Sequence, residues 1–113
     1  MATFSDAERD FLVTQRLLGR LATVDGDGKP HVTPVGWSFD AEQGTVEITG
    51  RDFAATKKFR DVQRTGRAAI VIDDVLPPWH PRGIELRGRA NTLLDPAPAI
   101  RIHIDRVISW GLA

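Results

Sequence analysis

Through most of this chain apolar and polar positions alternate with a period of two, the pattern of strands with one face buried. From His31 to Phe39, Val32, Pro34 and Gly36 fall on one side and His31, Thr33, Val35, Trp37 and Phe39 on the other. Pro34 has no N–H to give a ladder, so its strand is expected to have an edge or a bulged point where the backbone faces something else. Gly83 to Leu94 sets Ile84, Leu86, Gly88 and Ala90 against Glu85, Arg87, Arg89 and Asn91. Ile100, Ile102 and Ile104 alternate again, followed by an expected turn at Asp105-Arg106 and a last segment from Val107 to Trp110. Leu17 to Val24 and Thr45 to Thr49 read as further strands, and the apolar run Ala68 to Ile72 as a central one.

Two stretches break the period. Ser5-Asp6-Ala7-Glu8 has the spacing of a capping box, which predicts a helix from Asp6 to Gln15 with Phe11 and Leu12 inward. Between Arg51 and Arg67 a second helix starts near Thr56, Lys57 and Lys58 and is stopped by Thr65-Gly66, with Gly66 suited to a left-handed cap. Asp25 to Gly28, Asp40 to Gly44 and Asp95 to Pro98 carry turn chemistry. Asp73 to Arg82, with three prolines, predicts a long irregular loop that exposes Trp79. Roughly six or seven strands with two short helices and no β-α-β rhythm predict a mainly β fold, an antiparallel Greek-key-like barrel in one domain spanning 1–113.

Charge changes this picture little: 15 Lys+Arg balance 15 Asp+Glu. Nothing global then draws the chain to nucleic acid or an anionic membrane, and any basic site must be local. The absence of cysteine removes disulfides, thiolate metal sites and cysteine nucleophiles. No segment approaches the roughly 18 apolar residues of a membrane span, and MATFSDAERDF is charged where a signal peptide is apolar, so a soluble cytoplasmic protein is expected. A domain of 113 residues buries a modest core, so a ligand site would gain from a second subunit.

The candidate chemistry is that of a binding protein for a reactive group. His31, His80 and His103 are too far apart in sequence to suggest a shared metal, and no Gly-x-Ser-x-Gly elbow or glycine-rich phosphate loop is present. With no nucleophile or general base in view, no catalytic side chain is assigned, and an enzyme built on this chain would rely on a cofactor. Arg51, Thr56, Lys57 and Lys58 gather at a helix start, where unpaired N–H groups already favour an anion, with Thr49 as a further hydroxyl donor. They read either as a phosphate seat or as a solvated basic helix face. Trp79 and Trp110 read as covers over a site, or Trp110 as a plug on its own barrel, whereas Trp37 belongs to the core.

LATVDGDGKPHVTPVGWSFD, TKKFRDVQRTGRAAIVIDD, RGIELRGRA and the closing RVISWG together resemble the pyridoxamine 5′-phosphate oxidase-like family of split β-barrel flavoproteins. Within it the chain is most similar to small actinobacterial enzymes that use the deazaflavin coenzyme F420, over Leu17 to Gly111. The resemblance implies a homodimer with two equivalent cofactor sites at the subunit interface and a small-molecule substrate. It places the phosphate lysine at Lys58, with Thr56 two residues before it. It sets Thr49, Gly50 and Arg51 where a strand end approaches the phosphate, and Thr33, Pro34 and Val35 along the ring system. Trp79 or Trp110 would come from the partner. Asp61 departs from the family pattern, standing where many relatives have Asn. The implied activity is hydride transfer between F420 and an unsaturated small organic substrate. FMN in the same fold is the alternative, as is a non-catalytic flavin carrier or a heme-binding relative ligated through His31, His80 or His103. Arg82, Arg87 and Arg89 are candidates for the acidic tail of F420, or the polar face of a strand.

Overall fold

The computed structural model describes residues 2–112. Its strands are β1 (Gly19–Val24), β2 (Pro30–Val35), β3 (Ser38–Asp40), β4 (Thr45–Ile48), β5 (Arg67–Leu76), β6 (His80–Leu93) and β7 (Ala99–Trp110), with helices α1 (Asp6–Thr14) and α2 (Lys57–Thr65). They form one seven-stranded sheet in the order β2-β1-β5-β6-β7-β4-β3, and every pairing is antiparallel. The two margin strands, β2 and β3, are joined by two residues, Gly36 and Trp37, so the sheet curls until its margins approach. The result is a split β-barrel.

The alternation decides what fills it. Leu21, Val46, Ile48, Ile70, Ile72, Ile84, Leu86, Ile100, Ile102 and Ile104 all face inward at 2% exposure or less. Each such side chain contributes about 1.5–3 kcal/mol on leaving water. The helices close the rest. α1 buries Phe11 and Leu12, and its capping box is complete, Ser5 Oγ accepting from the Glu8 amide and Glu8 from the Ser5 amide. Ser109 Oγ donates to the other Glu8 oxygen at 2.6 Å, tying α1 to the end of β7. α2 buries Phe59 and Val62, with Phe59 edge-on to Phe53 at 5.8 Å between centroids. Trp37 is half-buried against the core and donates its indole N–H to the Leu17 carbonyl at 2.7 Å.

Three expectations are corrected. His31 to Phe39 is two strands, because β2 pairs with β1 and β3 with β4. The alternation carries through the break since both pieces turn the same side to the barrel interior. Asp73 to Arg82 is a two-stranded arm rather than an irregular loop, with Asp74 opposite Arg82, Val75 opposite Pro81 and a turn at 77–79. β1 pairs with β5 only as far as Ile72 and β7 with β6 only from Gly83, so the outer side of Pro81 has no ladder to interrupt. The expected turn at Asp105-Arg106 is a β-bulge: Arg87 pairs with Arg106 and Gly88 with Ile104, which leaves Asp105 without a partner and β7 continuous.

The bulge explains Gly88. A Cβ there would stand 1.9 Å from the His103 carbonyl oxygen. Gly88→Ala is therefore expected to cost at least about 2 kcal/mol, as overpacking against fixed backbone does, read as a lower urea midpoint; an unchanged midpoint would mean the bulge is not held by this close approach.

Candidate functional site

Thr56 caps α2, its hydroxyl oxygen accepting from the Phe59 amide at 3.3 Å while its proton goes to the Phe53 carbonyl at 2.7 Å. Lys57 and Lys58 occupy the first two helical positions, whose amides have no intrahelical acceptor. Ahead of them the chain leaves β4 through exposed Thr49, Gly50 and Arg51 and turns at Asp52, which is left-handed at φ 48°. Thr49, Gly50, Arg51, Thr56, Lys57 and Lys58 thus share one short connection from strand end to helix start.

Consecutive helical residues point about 100° apart, and the two lysines diverge. The Lys57 ammonium lies 3.0 Å from Asp61 and 3.7 Å from Asp25. The Lys58 ammonium stands 5.5 Å from the centre of the Phe53 ring and enters no ion pair among the described residues. Among the same residues Arg51 likewise has no carboxylate within ion-pair distance. Two helix-start amides and two uncommitted cations form a donor set suited to a phosphate ester.

Asp61 is buried and faces the barrel. Its carboxylate accepts from the Thr23 hydroxyl of β1 at 2.8 Å and from the Lys57 ammonium at 3.0 Å. Burial pushes this carboxyl up, but the Thr23 hydroxyl and the Lys57 ammonium outweigh it and hold Asp61 below the ordinary carboxylate value. Asp61 is thus an anchor for the helix.

Thr33, Pro34 and Val35 lie on β2, a margin strand whose pairing in the sheet is with β1 alone. Pro34 is exposed, Thr33 half-buried and Val35 buried. β1 links the two groups, carrying the β2 ladder and, through Thr23, the α2 anchor. Trp79 is elsewhere. It caps the β5–β6 arm at 75% exposure, while α2 ends beside Ala90, whose amide donates to the Gly66 carbonyl at 2.8 Å. Ten strand residues at about 3.3 Å each, less the length of α2, keep Trp79 roughly 20 Å from Lys58 within one protomer. Trp110 is opposite Gly83 on its own chain, and a Cβ at Gly83 would meet its ring at 2.7 Å.

The arginines separate too. Arg82 is clamped to Asp74 through two hydrogen bonds of 2.7 and 3.1 Å, donates to Gln15, and stacks over Phe11; Asp74 holds Arg82 above its usual value and is itself held down by it. Arg87 and Arg89 remain on the outer face of β6, where Arg67 and Arg106 join them. Sequence reasoning passed over those last two, although Arg67 follows the expected helix stop directly. It also passed over the Lys57–Asp61 pair, whose i, i+4 spacing is a helix-face signal. The histidines do not converge: His80 Nε2 lies 3.2 Å from the Gly111 carbonyl and His103 Nε2 2.6 Å from Asn91 Oδ1. Among the described residues no group of three or more His, Asp or Glu could hold a metal, and no helix is long and apolar enough to cross a membrane.

A family model described as pyridoxamine 5′-phosphate oxidase matches residues 4–109. A 5a,11a-dehydrotetracycline/5a,11a-dehydrooxytetracycline reductase from Streptomyces rimosus is 40% identical over 120 residues, covering 96% of this chain and 84% of the relative. Among solved structures, an F420 reductase superposes with a TM-score of 0.67 at 19% identity, over 88% of this chain and 94% of its own. A heme storage protein from Vibrio cholerae reaches 0.74 at 13% identity, over 96% of each chain. At such identities these structures share the fold, and the fold alone does not choose the group it carries.

Because the folded value of Asp61 is depressed, the stability it contributes is complete above the unfolded carboxylate value of about 4 and is lost as pH falls through the folded value. Asp61→Asn is expected to flatten the acid limb of the stability curve and to cost about 1–3 kcal/mol at neutral pH, measured by urea melts across pH 2–7. An acid limb identical to that of the parent protein would show that Asp61 is not the group being titrated.

Proposed function

We propose that this chain, which belongs to the pyridoxamine 5′-phosphate oxidase family, is a cytoplasmic, homodimeric reductase that uses coenzyme F420. Its substrate is an unsaturated small organic molecule, and the dehydrotetracycline class of the Streptomyces rimosus relative is the first to test. The observation that carries this reading is the Lys58 ammonium, placed at the first turn of α2 with no carboxylate partner among the described residues. A deazaflavin, when bound, supplies the hydride chemistry, and the residues of the chain are left to bind, orient and exclude water.

Lys58 and Arg51 would neutralise the phosphate while the Lys57 and Lys58 amides donate to it, with Thr49 and Gly50 leaving room at the end of β4. Lys57 lies at the same turn, held by Asp61 and Asp25, so its side chain steadies the helix more than it serves the anion. The Thr56 hydroxyl acts as the cap. Thr33, Pro34 and Val35 would line the ring with the backbone of a margin strand. Pro34 suits that place because its missing N–H leaves no donor to satisfy there. A second copy would cover the site, and Trp79, too distant to serve its own protomer, is better placed than Trp110 to be the partner's contribution. The same seat accepts the phosphate of FMN. The absorbance of a titrated sample separates the readings, since deazaflavin, flavin and heme bands differ.

Lys58→Ala is expected to weaken F420 binding by about 1.5–3 kcal/mol, the usual loss for a charge-assisted hydrogen bond, with the melting temperature unchanged; equal affinity in the variant would displace the phosphate from α2. In sedimentation the protein is expected to run as a dimer and to lose F420 affinity on dilution to monomer. A stable monomer with full binding would rule out a shared site.

A further inference from the structure

A cleft between α2 and the β1–β2 turn is lined by three cations, Lys57, Arg60 and Arg64, and three carboxylates, Asp25, Asp27 and Asp61. Charge on this side of the helix is matched one for one. Lys57 is the member that borders the helix start, and its ammonium is turned into the cleft, 3.0 Å from Asp61 and 3.7 Å from Asp25. Both acids are themselves fixed. Asp61 accepts from the Thr23 hydroxyl at 2.8 Å. One Asp25 oxygen accepts from the Asp27 and Lys29 amides at 2.9 Å each, and the other is the one nearest Lys57. Thr65 fastens the far end of the helix to the same hairpin, its hydroxyl donating to the Val24 carbonyl at 3.1 Å. Of two adjacent lysines at one helix start, then, Lys58 keeps its charge for a ligand and Lys57 has its charge cancelled by two held carboxylates.

We infer that Asp61 and Asp25 set which class of phosphate the seat takes: by holding Lys57 out of it, they leave the charge that suits a phosphate diester rather than a monoester. Both are positioning residues that act through Lys57, and the inference rests on the cofactor reading above. Outside the matched cleft, the connection from β4 to α2 holds Arg51 and Lys58, with Asp52 the acid beside them. The excess is one positive charge. A diester carries one negative charge, whereas a monoester loses its second proton near pH 6 and carries nearly two at neutral pH, taking about 6 as that second pKa. The second charge would lose its water at the seat without gaining a cation, which is costly. FMN ends in a monoester, and F420 carries its phosphate as a diester that runs on into the acidic tail. The withheld lysine therefore favours F420 over FMN at a seat that both could occupy. Released from its acids, Lys57 has the flexible stem to turn toward the same phosphate.

Calorimetric titration of the intact protein with F420 and, separately, with FMN tests this. Asp61→Asn keeps an oxygen for the Thr23 hydroxyl and is expected to shift the ratio of the two affinities toward FMN by at least about fivefold, the scale of one unit charge near a surface. Ring and tail contribute alike in parent and variant, so they cancel from this comparison. Asp25→Asn, on the turn, is expected to shift the ratio the same way by less. Lys57→Gln/Asp61→Asn removes cation and carboxylate together and is expected to return the ratio to within about twofold of the parent. A second readout is pH. FMN gains its second phosphate charge between about pH 5 and pH 8. Asp61, raised by burial but held lower by Thr23 and Lys57, and Asp25, held down chiefly by the Lys29 amide, both stay ionised over that range. The change in FMN affinity across it is expected to favour high pH more in Asp61→Asn than in the parent; groups elsewhere, His31 on β2 among them, are common to both. A ratio unmoved in Asp61→Asn, two affinities that fall together, or a double variant that stays shifted toward FMN would overturn the inference, and the seat would still stand if Lys58→Ala weakened both cofactors. Full binding of both by Lys58→Ala would remove the seat and this inference with it.

Discussion

A buried carboxylate fastens the mid-chain helix to the barrel, and the geometry of the candidate site follows from it. Asp61 reaches the Thr23 hydroxyl on β1 and the Lys57 ammonium one turn back on α2. An acid this buried is tolerable only with its acceptors satisfied, so strand and helix are held in one relation. Lys57 is drawn to the barrel side, and Lys58, the next residue on the helix, is left facing away from that acid. Had Asp61 been solvated, both lysines would be mobile surface cations and the helix start a poorer anion seat.

The barrel sets the second constraint. A seven-stranded sheet whose margin strands are joined by two residues has to curl, and the join falls where β2 changes into β3. β2 therefore keeps one backbone edge without a ladder, and its prolines carry no penalty there. The beginning of β7 and the stretch of β6 from Gly83 to Ala90 are committed to the core on one face. Their outer face carries the charge, so any chemistry reached from outside must use that face, the margin, or the connection between β4 and α2.

Charge is allotted unevenly along these surfaces. Most ion-paired cations have structural work, as Arg82 does in clamping the arm through Asp74 and Phe11 and Arg101 in bridging β7 to Glu47 on β4. Among the described cations outside such pairs, Arg51 and Lys58 meet at the start of α2 and Arg67, Arg89 and Arg106 on the outer face of β5 to β7, while Arg9, Arg16, Lys29, Arg60 and Arg64 stand apart from both. A net charge of zero conceals this, because the total records none of the pairing.

Much was legible from the sequence alone. The capping box, the Thr56 and Gly66 helix ends, the inward isoleucines and the strand count all rest on local chemistry or on a period of two, and local rules do not need the fold. The family resemblance was carried by contiguous motifs in the same way. What only the tertiary structure decided depended on neighbours distant in sequence. Asp73 to Arg82 became an arm because its prolines fell at a turn and on a side that no strand occupies. Asp105 became a bulge because β6 offered Gly88 there, and Arg82 was removed from the candidate anion partners by a carboxylate across a ladder. Periodicity records which face a residue takes, whereas register, fixed only when strands pair, records what stands opposite it.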